Sequence, residues 1–273
     1  MSRQAIKTSC ACAYESEAAR YLLGDSYHPG GLELTARLGE LLDLDGDSRV
    51  LDIAAGTGAS ALFLARRFGC MVHGVDYSAT NVEQATSRAD AESLAERVTF
   101  TRADAEALPF DDGTFDAILC ECSFCLFPDK DAAVWEMARL LSPDGRVAIS
   151  DLTREGPLAD GLSGLLAWVS CIGDALPIEG YADCLSRTGL NIETIERHDE
   201  ALIGLAEQVQ MRLLAAEIVV GLREPRLPRL DFSAARQMAR EAIDAIERGQ
   251  LGYAVVTASK PQQSSYAADR NSK

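Results

Sequence analysis

From Arg49 onward, short apolar runs alternate with segments whose apolar residues recur at helical spacing. Arg49 to Ala54 is apolar apart from the ends and one carboxylate, Asp52, and it closes on Gly56 and Gly58. Leu62, Leu64, Ala65 and Phe68 then fall on one side of a helix. The pattern predicts strand 49–54, helix 58–68, strand 71–75, helix 79–95, strand 98–102, strand 115–120, helix 129–141 and strand 145–151. Strands that alternate with amphipathic helices imply an α/β fold, a parallel sheet covered on both sides. Ligands of such a sheet sit in the crevice beyond the carboxyl ends of its strands.

Ahead of this region, residues 1–13 read as a mobile arm containing Cys10 and Cys12. Glu15 to Leu23 is a short helix, Gly24–Gly31 a loop, and Leu32 to Leu42 a helix leading into the first strand. Beyond Asp151, Leu158 to Ile172 and Ile178 to Thr188 read as helices and Leu190 to Arg197 as a strand. Two helices fill 200–248, interrupted by Arg223–Pro228, and are expected to roof an acceptor pocket. Gly252–Ala258 is β-branched and is the last strand, while Lys260–Lys273 is Gln/Ser-rich and reads as disordered. The expected organisation is an arm and loop over 1–31, a cofactor-binding core over 32–155, substrate-side helices and the last two strands over 156–259, and a tail over 260–273.

Strand, glycine turn and helix together make a ligand cradle, because small residues let backbone approach and a helix N-terminus faces the polar groups. The second strand ends in Asp76, where a carboxylate can accept hydrogen bonds from two ribose hydroxyls. A dinucleotide site uses the same fold and acid, but its turn is G-x-G-x-x-G, whereas this one reads Ala54-Ala-Gly-Thr-Gly58. Leu51-Asp52, Gly56-Thr-Gly58, Val75-Asp76, Ala103-Asp104-Ala105, Leu108-Pro-Phe110, Phe115-Asp116 and Leu141-Ser-Pro-Asp-Gly145 resemble, as a set, the class I S-adenosylmethionine-dependent methyltransferases over roughly residues 45–155. The resemblance implies a doubly wound, mostly parallel, seven-stranded Rossmann-like sheet with a helical C-terminal insertion, the last strand lying antiparallel beside 190–197.

By the same resemblance S-adenosylmethionine is the cofactor. Asp52 and Gly56 would lie by its methionine part, Asp76 would hold the ribose, Asp104 would reach the adenine amine, and the Ala105 backbone would receive a ring nitrogen. Ala54, Gly58 and Tyr77 complete the expected cofactor-binding set. In isolation Asp104 reads as a solvated loop acid; its place at a third strand end, in register with Asp76, favours the cofactor role. The family commonly has Gly where this chain has Ala54, so the backbone there is expected to avoid positive φ.

Composition narrows the acceptor. Hydrophobic residues make up 47% without any run long enough to span a membrane, and the first seven residues lack a secretory h-region. A formal charge of −16 opposes nucleic acid and large polyanions as partners. Eight cysteines without a secretory signal indicate a reducing, cytoplasmic compartment where thiols stay free.

Cys120, Cys122 and Cys125 fall at and just past the end of the fourth strand, the edge that faces the methyl group in this fold. Cys120, inside the strand, reads as packing, and so do Cys70 and Cys184. A zinc site lacks its second ligand pair: Cys122-Ser-Phe-Cys125 stands alone, and the histidines are scattered. A redox pair lacks a thioredoxin-like start. The remaining reading is a soft acceptor held by thiolates.

Here the chain also resembles the arsenite methyltransferases. They carry a Cys after the fourth strand, in a segment leading to a Lys and a helix, as Cys122 and Lys130 do here. They carry a second in a context matched by Cys171-Ile-Gly-Asp-Ala-Leu176. The resemblance implies that Cys122 and Cys171 hold trivalent arsenic, joined by Cys10, Cys12 or Cys125, with a thiol reductant as partner. A further family Cys is Ala61 here. One rival is a small organic acceptor methylated on oxygen, nitrogen or carbon, with His28 or Glu121 as base, although a loop histidine such as His28 is more often simply solvated. The other rival is a non-catalytic protein that binds cofactor or metalloid.

Overall fold

Val50 and Leu51 are both fully buried, yet they belong to opposite sides of the molecule. Val50, Leu119 and Val255 feed one core cluster; Leu51, Ile118 and Val256 feed the other. That two-residue alternation, apolar on both faces, is what a sheet sandwiched between two helical layers demands. The computed structural model describes residues 2–156, 171–223 and 232–262.

The described elements run α1 (Arg3–Tyr14), α2 (Glu17–Leu23), α3 (Gly31–Leu41), β1 (Arg49–Ile53), α4 (Ala59–Phe68), β2 (Met71–Asp76), α5 (Ala79–Ala91), β3 (Val98–Arg102), β4 (Phe115–Glu121), α6 (Lys130–Leu140) and β5 (Leu141–Arg154). They continue with α7 (Ile178–Ser186), β6 (Asn191–Arg197), α8 (Asp199–Arg223), α9 (Phe232–Glu247) and β7 (Leu251–Ser259). The seven strands form one sheet in the order β3-β2-β1-β4-β5-β7-β6. β7 is antiparallel to both neighbours, and the pairs from β3 to β5 are parallel. The strand order reverses between β1 and β4, so the crevice for a ligand opens past Ile53 and Glu121.

Three local expectations are corrected. Residues 1–13 are not a loose arm: Ser2 caps α1 through Ala5 N at 3.2 Å, and ion pairs Arg3–Asp129 and Lys7–Asp104 (2.6 and 2.7 Å) dock it across the strand ends. β5 starts at Leu141 because Leu141 pairs with Phe115 before a register shift. Ala54 adopts φ +60°, the region it was expected to avoid, and the turn accepts that cost. The helix expected over 158–172 falls almost wholly outside the described residues, as does most of the tail. No described helix is long and apolar enough to cross a membrane.

Candidate active site

β1 delivers Asp52 into the crevice, 2% exposed, and its Oδ2 has no hydrogen-bond partner. Burial, with the Glu121 and Asp76 carboxylates nearby, pushes its carboxyl well above the ordinary range. A buried carboxylate oxygen without a donor is costly unless a cation meets it. The ammonium of a methionine moiety is such a cation, so the residues fit the cofactor that the fold implies.

Asp76 at the tip of β2 is already oriented: Oδ2 accepts from Gly56 N at 2.9 Å, Oδ1 from Ser78 N at 2.8 Å and Asn81 Nδ2 at 3.3 Å. Each oxygen keeps acceptor capacity toward the crevice. Gly58 has φ +81°, and a Cβ there would lie 2.6 Å from the Phe100 ring, so only glycine lets the turn close on β3. Asp104 accepts Lys7 Nζ at 2.9 and 2.7 Å, and Glu106 accepts it at 2.5 Å. Tyr77 accepts from Gln4 and lies beside Arg102. Asp52, Ala54, Gly56, Asp76, Tyr77, Asp104 and Ala105 all line one crevice, and α1 covers it with Lys7, Cys10 and Tyr14.

At the other end the thiols meet. Cys122 Sγ lies 3.9 Å from Cys171 Sγ, and Tyr14 Oη lies 3.4 Å from Cys171 Sγ. Cys125, 1% exposed, is buried beside Cys171. Cys122 and Cys171 both hold positive φ, +49° and +64°. A non-glycine residue there carries strain of roughly 1–3 kcal/mol, which persists where surrounding structure fixes it. Hydrogen bonds from Cys122, Cys125 and Tyr14, with Lys130 nearby, hold the Cys171 thiol well below its usual range. Cys122 is raised as the donor to Cys171 and by burial; Cys125 is raised by burial and by the same donation. The neighbouring protic groups thus favour negative charge at Cys171 over Cys122 and Cys125.

Asp151 backs this cluster; its Oδ2 accepts Cys125 N at 2.8 Å, and burial lifts its carboxyl to about 7. Among the described residues no group of three or more His, Cys, Asp or Glu forms a ready metal site.

Between the two ends lies a polar pair. His28, expected to be solvated, is 5% exposed. Its Nδ1 donates to Pro29 O at 3.2 Å, leaving Nε2 toward Glu121 Oε2 at 3.5 Å. Ser60 and Thr35 donate to the same carboxylate at 2.5 and 3.1 Å. His28 and Glu121 line the crevice with Cys122.

Cys10 and Cys122 thus line the crevice, Cys125 and Cys171 are buried behind Cys122 and do not line it, and Cys12 is exposed and also outside the lining. Cys120, Cys70 and Cys184 are buried; Cys120 faces Ser123 Oγ at 3.1 Å, and burial pushes Cys70 to about 11. No described residue of 200–248 lines the crevice; α8 packs instead on α2 and β7. Sequence reasoning missed Lys7, Tyr14 and Asp151, whose roles arise only from tertiary approach.

Comparison with known proteins fits this geometry. The methyltransferase-domain family profile matches residues 50–145. The chain is 31% identical over 240 residues to methyltransferase GfsG of Streptomyces halstedii, covering 87% of this chain and 83% of that one. It is 32% identical over 232 residues to 27-O-demethylrifamycin SV methyltransferase of Amycolatopsis mediterranei, covering 84% and 83%. Phosphoethanolamine N-methyltransferase 2 of Haemonchus contortus, solved with phosphomonomethylethanolamine and S-adenosylhomocysteine, superposes with a TM-score of 0.79 at 21% identity, over 96% of this chain and 61% of that one.

Proposed function

The chain belongs to the S-adenosylmethionine-dependent methyltransferases that act on small molecules, and from that premise we propose that its acceptor is trivalent arsenic held by the sulfurs of Cys122 and Cys171. The observation that carries this reading is the approach of two sulfurs, 49 residues apart in sequence, to 3.9 Å, each on a backbone strained to present it. Sulfur donors select soft centres.

Asp52, Gly56 and Asp76 are proposed to hold the cofactor's methionine and ribose, with Tyr77, Asp104 and Ala105 at the adenine. S-adenosylmethionine, when bound, supplies the methyl carbon, which the arsenic lone pair takes as the carbon–sulfur bond breaks. The nucleophile carries no proton to remove, so the protein's task is alignment, which supplies up to roughly 7–11 kcal/mol of a barrier. Cys122 on the crevice wall and Cys171 buried behind it are proposed to fix the arsenic, and Cys10 and Tyr14 on α1 exclude water. The transfer leaves arsenic oxidised by two electrons, and a thiol reductant restores it for another turnover.

Labelled S-adenosylmethionine with arsenite, methylarsenite and an organic acceptor panel tests this, comparing wild type with Cys122→Ser and Cys171→Ser. Methylated arsenic from the wild type and its loss in both variants are expected. Arsenite turnover that survives both substitutions defeats the thiol role.

A second reading has its own observation. The buried His28–Glu121 pair faces the same crevice, and one of the relatives above is named for an oxygen-linked methyl on an organic molecule. With Nδ1 pinned by Pro29, Nε2 can take the proton of an acceptor hydroxyl. On that reading Cys122→Ser leaves turnover of the organic acceptor intact.

A further inference from the structure

Two loops bring the sulfurs together: Cys122 and Cys125 follow β4, and Cys171 lies ahead of α7. Apart from the sulfur contacts, a side-chain tie between them is Lys130, the first residue of α6. Its ammonium donates to Cys125 O at 3.0 Å, to Phe127 O at 3.2 Å, and to the Asp174 carboxylate. An ammonium has three donors and no acceptor, so these three bonds satisfy it fully. The Lys130 side chain is 12% exposed and that of Asp174 43%, so water screens the pair from the Asp174 side only.

The geometry points to Lys130 as the positioning residue of the thiol centre: by clamping the loop after β4 to Asp174, it holds Cys171 within chelating reach of Cys122. This rests on the thiol-acceptor reading. Its physical content is separable, because a chelate gains over a single thiol only while the second sulfur is held at high effective concentration. The loops are tied elsewhere to β5, through Arg154 N to Leu176 O at 2.9 Å and Cys122 N to Ser150 O at 2.7 Å. Loss of the clamp therefore leaves each loop on the sheet but frees one relative to the other. Lys130 does not reach the acceptor; it acts through the distance between sulfurs.

The test uses phenylarsine oxide, a trivalent arsenical that binds tightly only to paired thiols, on the full chain. Its equilibrium affinity is measured for wild type, Lys130→Met, Lys130→Arg and Asp174→Asn, beside S-adenosylmethionine affinity and the alkylation rate of the cysteines by N-ethylmaleimide, which needs one sulfur at a time. A tenfold or greater loss of phenylarsine oxide affinity is expected in Lys130→Met, a smaller loss in Asp174→Asn, and partial recovery in Lys130→Arg. Cofactor affinity should stay within twofold, and single-thiol alkylation should not slow. Phenylarsine oxide affinity unchanged in both Lys130→Met and Asp174→Asn overturns the proposal; so does an equal loss of cofactor affinity, which would mean general damage. If Lys130→Met does not fold, Lys130→Arg and Asp174→Asn decide by the same criteria. Should the clamp behave as expected while wild type methylates no arsenical, positioning stands and the acceptor assignment alone falls.

Discussion

Replacing Cys122 by glycine should make the protein more stable than replacing it by alanine. Cys122 sits at φ +49°, where a side chain carrying a Cβ is strained. Alanine removes the sulfur but keeps the strain, of order 2 kcal/mol. Glycine removes both, at the expense of about 0.5–1 kcal/mol from the greater freedom of the unfolded chain. The half-buried position forfeits a fraction of the ~0.8 kcal/mol that a fully buried methyl would contribute. Net stabilisation of Cys122→Gly over Cys122→Ala is thus about 1 kcal/mol, or ~2–4 °C in Tm for a chain of this size. Paired urea titrations and thermal melts measure it, with the slope of the urea transition checked for constancy. If alanine equals or exceeds glycine, the backbone at 122 is not strained, and the inference that its conformation is held for the sulfur's sake is wrong. At Cys171, φ +64° and 2% exposed, methyl burial cancels more of the gain, and a smaller difference is expected.

Asp52→Asn should raise the stability of the cofactor-free protein near neutral pH and weaken S-adenosylmethionine binding at least tenfold by calorimetry. A carboxyl whose folded pKa is raised gives stability below its unfolded pKa and loses it as pH climbs through the folded value, so the advantage of Asn over Asp should grow from about pH 4 upward. Lys7→Met should release α1 from Asp104 and Glu106 and speed S-adenosylhomocysteine dissociation several-fold in stopped flow; an unchanged rate would deny α1 a covering role. His28→Gln should cut methylation of an organic hydroxyl by about 100-fold or more if that acceptor is used, yet change arsenite turnover less than threefold. An equal loss of both activities would place His28 with the cofactor.

The core of the fold was legible because each strand from β1 to β4 is bounded by turn residues and followed by a helical period or another strand. Asp76 could be placed by its position at a strand tip alone. The first helix was not legible: Arg3–Tyr14 has weak local preference, and what holds it are ion pairs to Asp104, Glu106 and Asp129, more than ninety residues away. His28 looked like a solvated loop residue because its burial depends on Thr35, Ser60 and Glu121 from three separate elements. Ala54 failed for the opposite reason. A local rule against positive φ was overruled by a turn whose next glycine donates its N–H to Asp76. The meeting of Cys122 with Cys171 came from family likeness; no spacing rule predicts it.

β7 lies between β5 and β6, although it is last of the seven in chain order. A growing chain halted before Leu251 would therefore display two long open strand edges, on β5 and β6, that the finished protein never shows. Val255, Val256 and the fully buried Tyr253 would be missing from both apolar layers at once. Translation of this sequence should thus depend on holdase chaperones until about residue 259 has cleared the ribosome, and premature termination should yield aggregates, not a smaller working enzyme.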